Sequence, residues 1–192
     1  MSSCSAFMGL QHVIRFVVLC TIAVLSWCLC ERKFIATSAK CTDGTRPAYY
    51  FRKGHESGSK SWHIHFQGGG WCADIESCIT RIDSKFGSSE WDRQSTQQPS
   101  SCDDFRGKLL ESTEYITSDP RRNHMMHNWN TVFVAYCDGG SYAGDAVVEH
   151  NGKMLHFEGL DIRRNLIHTL LEREGMEFGA EVLISGCSAG GG

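Results

Sequence analysis

The sequence predicts an α/β fold with a mostly parallel sheet and helices on both faces, of which residues 41–192 form the N-terminal part. Three stretches carry that expectation. The run from Thr131 to Tyr136 is continuously apolar and short, the pattern of a strand buried on both sides. From Gly159 to Glu174, Ile162, Leu166, Ile167, Leu170 and Leu171 share one face at the helical period, while Arg163, Arg164, Glu172 and Arg173 fall largely elsewhere. Gly175 ends that helix, and Glu181 to Ser185 is again an apolar strand. Strand, helix and strand in succession form a β-α-β unit, and such sheets carry their ligands at the carboxyl ends of the strands.

The remaining elements follow in chain order. Arg15 precedes a stretch from Phe16 to Cys30 that carries no charge. Its length suits the apolar core of a secretory signal and falls short of the roughly 20 residues a bilayer span needs. Residues 1–38 therefore read as a signal peptide, with the small residues Ala36, Ser38 and Ala39 as the cleavage region. The alternative is an uncleaved signal anchor from about Val13, with Arg15 at the interface; only then would the protein meet a membrane. Cys20, Cys28 and Cys30 in this leader read as small hydrophobes. Cys41 to Pro47 is a turn and Ala48 to Arg52 an aromatic strand. Lys53 to Lys60 is a Gly/Ser-rich hairpin loop, and Trp62 to Phe66 is the next strand. From Asp74 to Asn130 the chain is polar and irregular, with short helices expected at Ile75–Arg81 and Lys108–Tyr115.

Composition sets the class. At 192 residues, 41% hydrophobic and 21% charged, the chain has room for one globular domain beyond the leader. A net charge of −3 gives no basic excess for a nucleic-acid partner. Beyond the leader lie Cys41, Cys72, Cys78, Cys102, Cys137 and Cys187. In a secretory protein these point to disulfides, with about 15 full pairings open to a set of that size. Cys72 and Cys78 are the expected local bridge, because they close a short loop after a glycine run. A zinc site is the alternative, but no cysteine–histidine spacing suits it. The pairs His63/His65 and His124/His127 read as core or loop histidines, so neither a metal nor a cofactor is expected. No N-x-S/T sequon occurs.

The chemistry sits at two glycine clusters. Gly186, Ser188 and Gly190 make a G-x-S-x-G pattern directly after the last strand. Such an elbow exposes a serine hydroxyl on a sharp turn, flanked by glycines because side chains there would collide with neighbouring backbone. A serine needs a histidine base and an acid that orients it. An acyl-transfer site also needs N–H donors for the developing oxyanion. One is expected from Ala189, the residue after the serine, and one from Gly68–Gly70 at the end of the Trp62–Phe66 strand. Asp138 follows a strand carboxyl end and is a candidate to line the substrate site, although Asp-Gly-Gly is also an ordinary turn signal.

Several ordered motifs together resemble the pectin acetylesterase/Notum family of secreted α/β-hydrolase-like esterases. They are Cys41–Gly44, His65–Cys72, Asn128–Asn130, Tyr136–Gly139, Leu155–Gly159 and Ser185–Gly191. The pattern is closer to the plant-type pectin acetylesterases, where a cysteine also precedes the serine, as Cys187 does here. The resemblance implies Ser188 as nucleophile, Gly69, Gly70 and Ala189 as oxyanion donors, and Trp71 beside the pocket. Gln67 stands where the family usually has a glutamate, a change expected to affect loop anchoring only.

The implied activity is carboxylic ester hydrolysis that removes acetyl groups from a cell-wall-type polysaccharide. The alternatives are a Notum-like deacylase acting on an acylated protein, or a non-catalytic fragment. The family's catalytic aspartate and histidine lie well downstream of the serine, and only Ala189 to Gly192 follow it here. Residues 1–192 are therefore expected to be a truncated chain without a complete triad.

Overall fold

Chain direction in the central sheet follows from the length of each connection. The computed structural model describes residues 30–91 and 113–191; the apolar leader, Cys102 and most of the helix expected at Lys108–Tyr115 lie outside the described residues. The strands are β1 (Cys30–Phe34), β2 (Ala48–Arg52), β3 (Ser61–Phe66), β4 (Asn130–Val134), β5 (Ala146–His150), β6 (Lys153–Phe157) and β7 (Glu181–Gly186). The helices are α1 (Ile75–Ile82) and α2 (Gly159–Arg173). The main sheet has the order β1-β2-β4-β3-β7, and β5 and β6 form a separate hairpin.

β3 runs parallel to both β4 and β7, each reached by a long connection that contains a helix. The connection from β2 to β3 carries no helix longer than one 3-10 turn, and the chain reverses there; β1 and β2 pair antiparallel, and β2 lies antiparallel to β4. The sheet is therefore mixed, not mostly parallel as the sequence suggested. Local periodicity identifies a strand but not the direction of the neighbour it finds.

Side chains alternate across the sheet, and its two faces differ in chemistry. Trp62, Ile64 and Phe66 of β3, with Tyr49, Phe51, Val132 and Val134, share one core with Ile162, Leu166 and Leu170 of α2. That stripe on α2 is the one its periodicity predicts, and truncating the fully buried Leu166 to Ala is expected to cost about 2–5 kcal/mol. The other face carries Tyr50 and Phe133, packed with Ile116 and Ala135 in a smaller cluster, together with His63 and His65. Among the described residues an irregular segment around Ile116, not a helix, supplies that cover. β7 forms one edge of the sheet, with Val182, Leu183 and Ile184 exposed. No helix among the described residues is long and apolar enough to cross a membrane.

Two elements were not foreseen. β1 falls inside residues 1–38, which read as leader, yet it pairs along its whole length with β2, and Ile35 and Ala39 just beyond it enter the core. Cys30 is accordingly disulfide-bonded, not a mere apolar filler. The β5–β6 hairpin turns at Asn151 and Gly152, both with positive φ (51° and 75°), a pairing well suited to a tight hairpin. The expected Cys72–Cys78 bridge is present, and a second joins Cys41 to Cys137.

Candidate active site

β7 delivers the serine. In the β3–β7 register Gly186 sits opposite Phe66, so the ends of the two strands emerge side by side. The Cys187 N–H donates to the Phe66 carbonyl at 3.3 Å, and the chain then turns sharply. Ser188 adopts φ +53°, a left-handed conformation unusual for a residue with a side chain, and opens a 3-10 turn over Ser188–Gly190. Such strain costs on the order of 1–3 kcal/mol and persists only where its surroundings enforce it. Here the enforcing contacts are backbone on backbone. A Cβ on Gly186 would overlap the Gly190 carbonyl, and one on Gly190 would overlap the Phe66 carbonyl. The two glycines of the pattern are thus steric requirements of the turn.

The glycine run after β3 lies against this elbow. A Cβ on Gly68 would strike the Cys187 carbonyl and stand 3.1 Å from Ser188 Cβ. Gly69 is covered by the Phe86 ring, and Gly70 has φ +67°. Gln67 anchors the start of the run: its Oε1 accepts from the Tyr136 N–H at 3.0 Å, and its carbonyl accepts from the Tyr142 hydroxyl at 3.1 Å. A neutral amide therefore fulfils the anchoring role expected of this position.

Ser188, Cys187 and Gly68–Gly70 share the wall of a cavity of about 490 Å³ with His65, Gln67, Lys85, Phe86, Thr113, Tyr115 and Phe133. This is a volume typical of small-ligand sites. The expected site residues Ser188, Gly69 and Gly70 thus come together, and Ala189 is buried directly behind the serine. Trp71 is 66% exposed and does not line this cavity.

Asp138 does not line it either. The side chain is fully buried; its Oδ2 accepts from the N–H groups of Gly140 (3.1 Å) and Tyr142 (3.0 Å), and Gly159 at the start of α2 packs on it. Burial raises its pKa to about 6, against the opposing effect of those hydrogen bonds. The structure gives Asp138 the ordinary turn role, placing the loop from which α2 departs.

His63 and His65 project from one face of β3 and converge on one hydroxyl. Ser185 Oγ lies 2.7 Å from His63 Nε2 and 2.9 Å from His65 Nδ1. A single hydroxyl proton can serve only one of these, so one imidazole donates and the other accepts. Burial lowers both pKa values to about 4, and for His63 the neighbouring His65 adds to the effect. His65 also stacks on Phe133, so it walls the cavity as a neutral, immobilised ring. The H-x-H spacing puts both on one strand face, and both are core histidines, as that pattern suggests. Lys85 and Phe86 follow shortly after α1 and also line the cavity, and no motif in the sequence marks them for it. No described histidine hydrogen-bonds the Ser188 hydroxyl, and no group of described residues could hold a metal ion.

Residues 29–192 match the family described as Pectinacetylesterase. The chain belongs to that family. Among its curated relatives, pectin acetylesterase 5 of Arabidopsis thaliana is 40% identical over 154 residues, 80% of this chain and 33% of that protein. Pectin acetylesterase 4 of the same plant is 38% identical over 154 residues, 80% of this chain and 34% of its own length. The human palmitoleoyl-protein carboxylesterase NOTUM is 28% identical over 158 residues, 81% of this chain and 28% of that protein. The chain thus spans about a third of the length of the curated relatives it matches.

Proposed function

We propose that this chain carries the nucleophile half of a secreted serine esterase that removes acetyl groups from a cell-wall-type polysaccharide. The observation that carries the reading is the juxtaposition of a strained, cavity-facing Ser188 with the Gly68–Gly70 loop. In this mechanism Ser188 Oγ attacks the acetyl carbonyl carbon while its proton passes to a histidine base. The carbonyl π electrons move to oxygen, and the N–H groups of Gly69, Gly70 and Ala189 receive the oxyanion. Collapse breaks the bond to the sugar oxygen, which leaves with the proton as a hydroxyl. Water then attacks the acetyl-serine and releases acetate. The base and its acid come from outside the described residues, in keeping with an elbow fold whose partners follow the serine in chain order. No cofactor enters.

Two disulfides and a fifth bonded cysteine, Cys30, favour an oxidising compartment and so support secretion. In this reading the leader is removed ahead of β1, whose residues pair with β2 in the folded sheet.

Deacylation of a lipid-modified protein is the second reading, supported by similarity to the palmitoleoyl-protein carboxylesterases. The higher identity to pectin acetylesterases favours acetyl transfer. The test is acetate release from acetylated pectin by the full-length protein, run beside hydrolysis of a palmitoleoylated peptide. Faster turnover of the pectin supports the proposal. Turnover of the peptide alone replaces it with the second reading.

A further inference from the structure

The glycine loop has a clamp that does not touch the cavity. α1 begins with Asp74 capping Ser77 and Ser77 returning the bond, and the Cys72–Cys78 disulfide ties the helix to the end of the glycine loop. Near its other end, Arg81 reaches back to that loop. Its Nη2 donates to the Gly69 carbonyl at 2.9 Å and stands 3.4 Å from the Gly70 carbonyl. The guanidinium lies over the rings of Phe86 (5.3 Å) and Tyr136 (5.6 Å), and its Nε is buried without a hydrogen-bond partner. An arginine held between rings and spending a donor on main-chain oxygens is positioned by packing; it is not a solvated surface charge.

The consequence follows from peptide geometry. In a trans peptide the carbonyl and the following N–H point in opposite directions, and no cis bond occurs among the described residues. Gly69 and Gly70 line the cavity and Arg81 does not. Holding the Gly69 carbonyl on Arg81 therefore turns it away from the cavity and aims the Gly70 N–H toward it. Glycines alone would leave that peptide free to flip, because they have no side chain to resist. We infer that Arg81 is a positioning residue for acyl transfer, fixing the Gly69–Gly70 peptide so that the Gly70 N–H meets the oxyanion. The inference rests on the serine-esterase reading above.

The test measures kcat, KM and thermal unfolding of the full-length protein and its Arg81→Met, Arg81→Lys and Ser188→Ala variants on a small acetyl ester. Loss of a whole oxyanion donor typically costs about 10²–10³ in kcat. A misaimed donor is expected to cost about tenfold to a hundredfold in Arg81→Met, with KM within about twofold of wild type. Lysine keeps the charge but offers no planar fork, so Arg81→Lys falls between, at least about threefold below wild type. If Arg81→Met does not fold, Arg81→Lys alone decides on the same criterion. Wild-type kcat in the folded arginine variants, or a change confined to KM, overturns the inference. If Ser188→Ala is inactive while the arginine variants are normal, only this inference fails; if Ser188→Ala remains active, the serine reading fails and takes it along.

Discussion

Gly186 and Gly190 meet across the elbow: a Cβ on Gly186 would overlap the Gly190 carbonyl, while one on Gly190 would overlap the Phe66 carbonyl of the neighbouring strand. Only with that contact intact can the chain turn at Ser188 with φ +53° and present the hydroxyl to the cavity. Gly186→Ala and Gly190→Ala are each expected to destabilise by about 2 kcal/mol or more, because the opposing atoms are main chain and cannot swing aside. Gly152→Ala is the informative control. It is strained by its positive φ but meets no atom within 4 Å, so it should cost less. Thermal unfolding of the three variants checks this ranking.

The two defined disulfides should differ in worth. Cys41–Cys137 spans 96 residues and Cys72–Cys78 only 6, and the chain-entropy cost of closing a loop grows with its length. Removing the long bridge is expected to cost about 4–5 kcal/mol and removing the short one about 2 kcal/mol. Denaturant unfolding of paired Cys→Ala variants measures both. The functional effects should run the other way, because the short bridge braces the helix that carries Arg81.

Buried titrating groups give the fold an acid response with two opposing parts. His63 and His65 stay neutral in the folded protein down to about pH 4, whereas in the unfolded chain they take up protons near the ordinary value of 6.5. Their contribution to stability is therefore lost as pH falls from about 6.5 toward 4. Asp138 has the opposite sign. Its folded pKa of about 6 lies above its ordinary 3.8, so acidification relieves a buried charge and rising pH restores that cost. Asp138→Asn keeps an acceptor for the Gly140 and Tyr142 N–H groups. Its unfolding temperature relative to wild type should rise between pH 5 and pH 7.5. A flat difference across that range contradicts the assignment.

Ser185→Ala removes the one hydroxyl shared by two buried imidazoles. It should destabilise by about 1–3 kcal/mol, since two buried imidazoles lose the hydroxyl they share. Ser185→Thr, which keeps the hydroxyl, should recover most of that. Denaturant melts of the two variants provide the comparison.

Much of this was legible in the sequence, and the exceptions have physical causes. The apolar run at β4, the stripe of Ile162, Leu166 and Leu170 on α2, and the glycines around Ser188 are local patterns whose meaning survives folding. β1 was lost because Glu31, Arg32 and Lys33 follow directly on an apolar leader and resemble its flank. The mixed direction of the sheet and the Cys41–Cys137 bridge are long-range pairings that periodicity does not encode. Asp138 sat at a strand end, as a ligand-binding residue does, but its carboxylate turned inward to the N–H groups of its own loop. Arg81 was invisible because a charge at the end of a short helix usually meets solvent; here it meets two carbonyls and two aromatic rings.

The central claim is that Ser188 is a nucleophile, and covalent labelling tests it most directly. The full-length protein and its Ser188→Ala variant are incubated with a fluorophosphonate probe, and the labelled peptide is mapped by mass spectrometry. The account predicts labelling of wild type on Ser188 and none of the variant, with unfolding temperatures unchanged. A folded wild-type protein that takes no label, or an Ser188→Ala variant that labels equally, contradicts it.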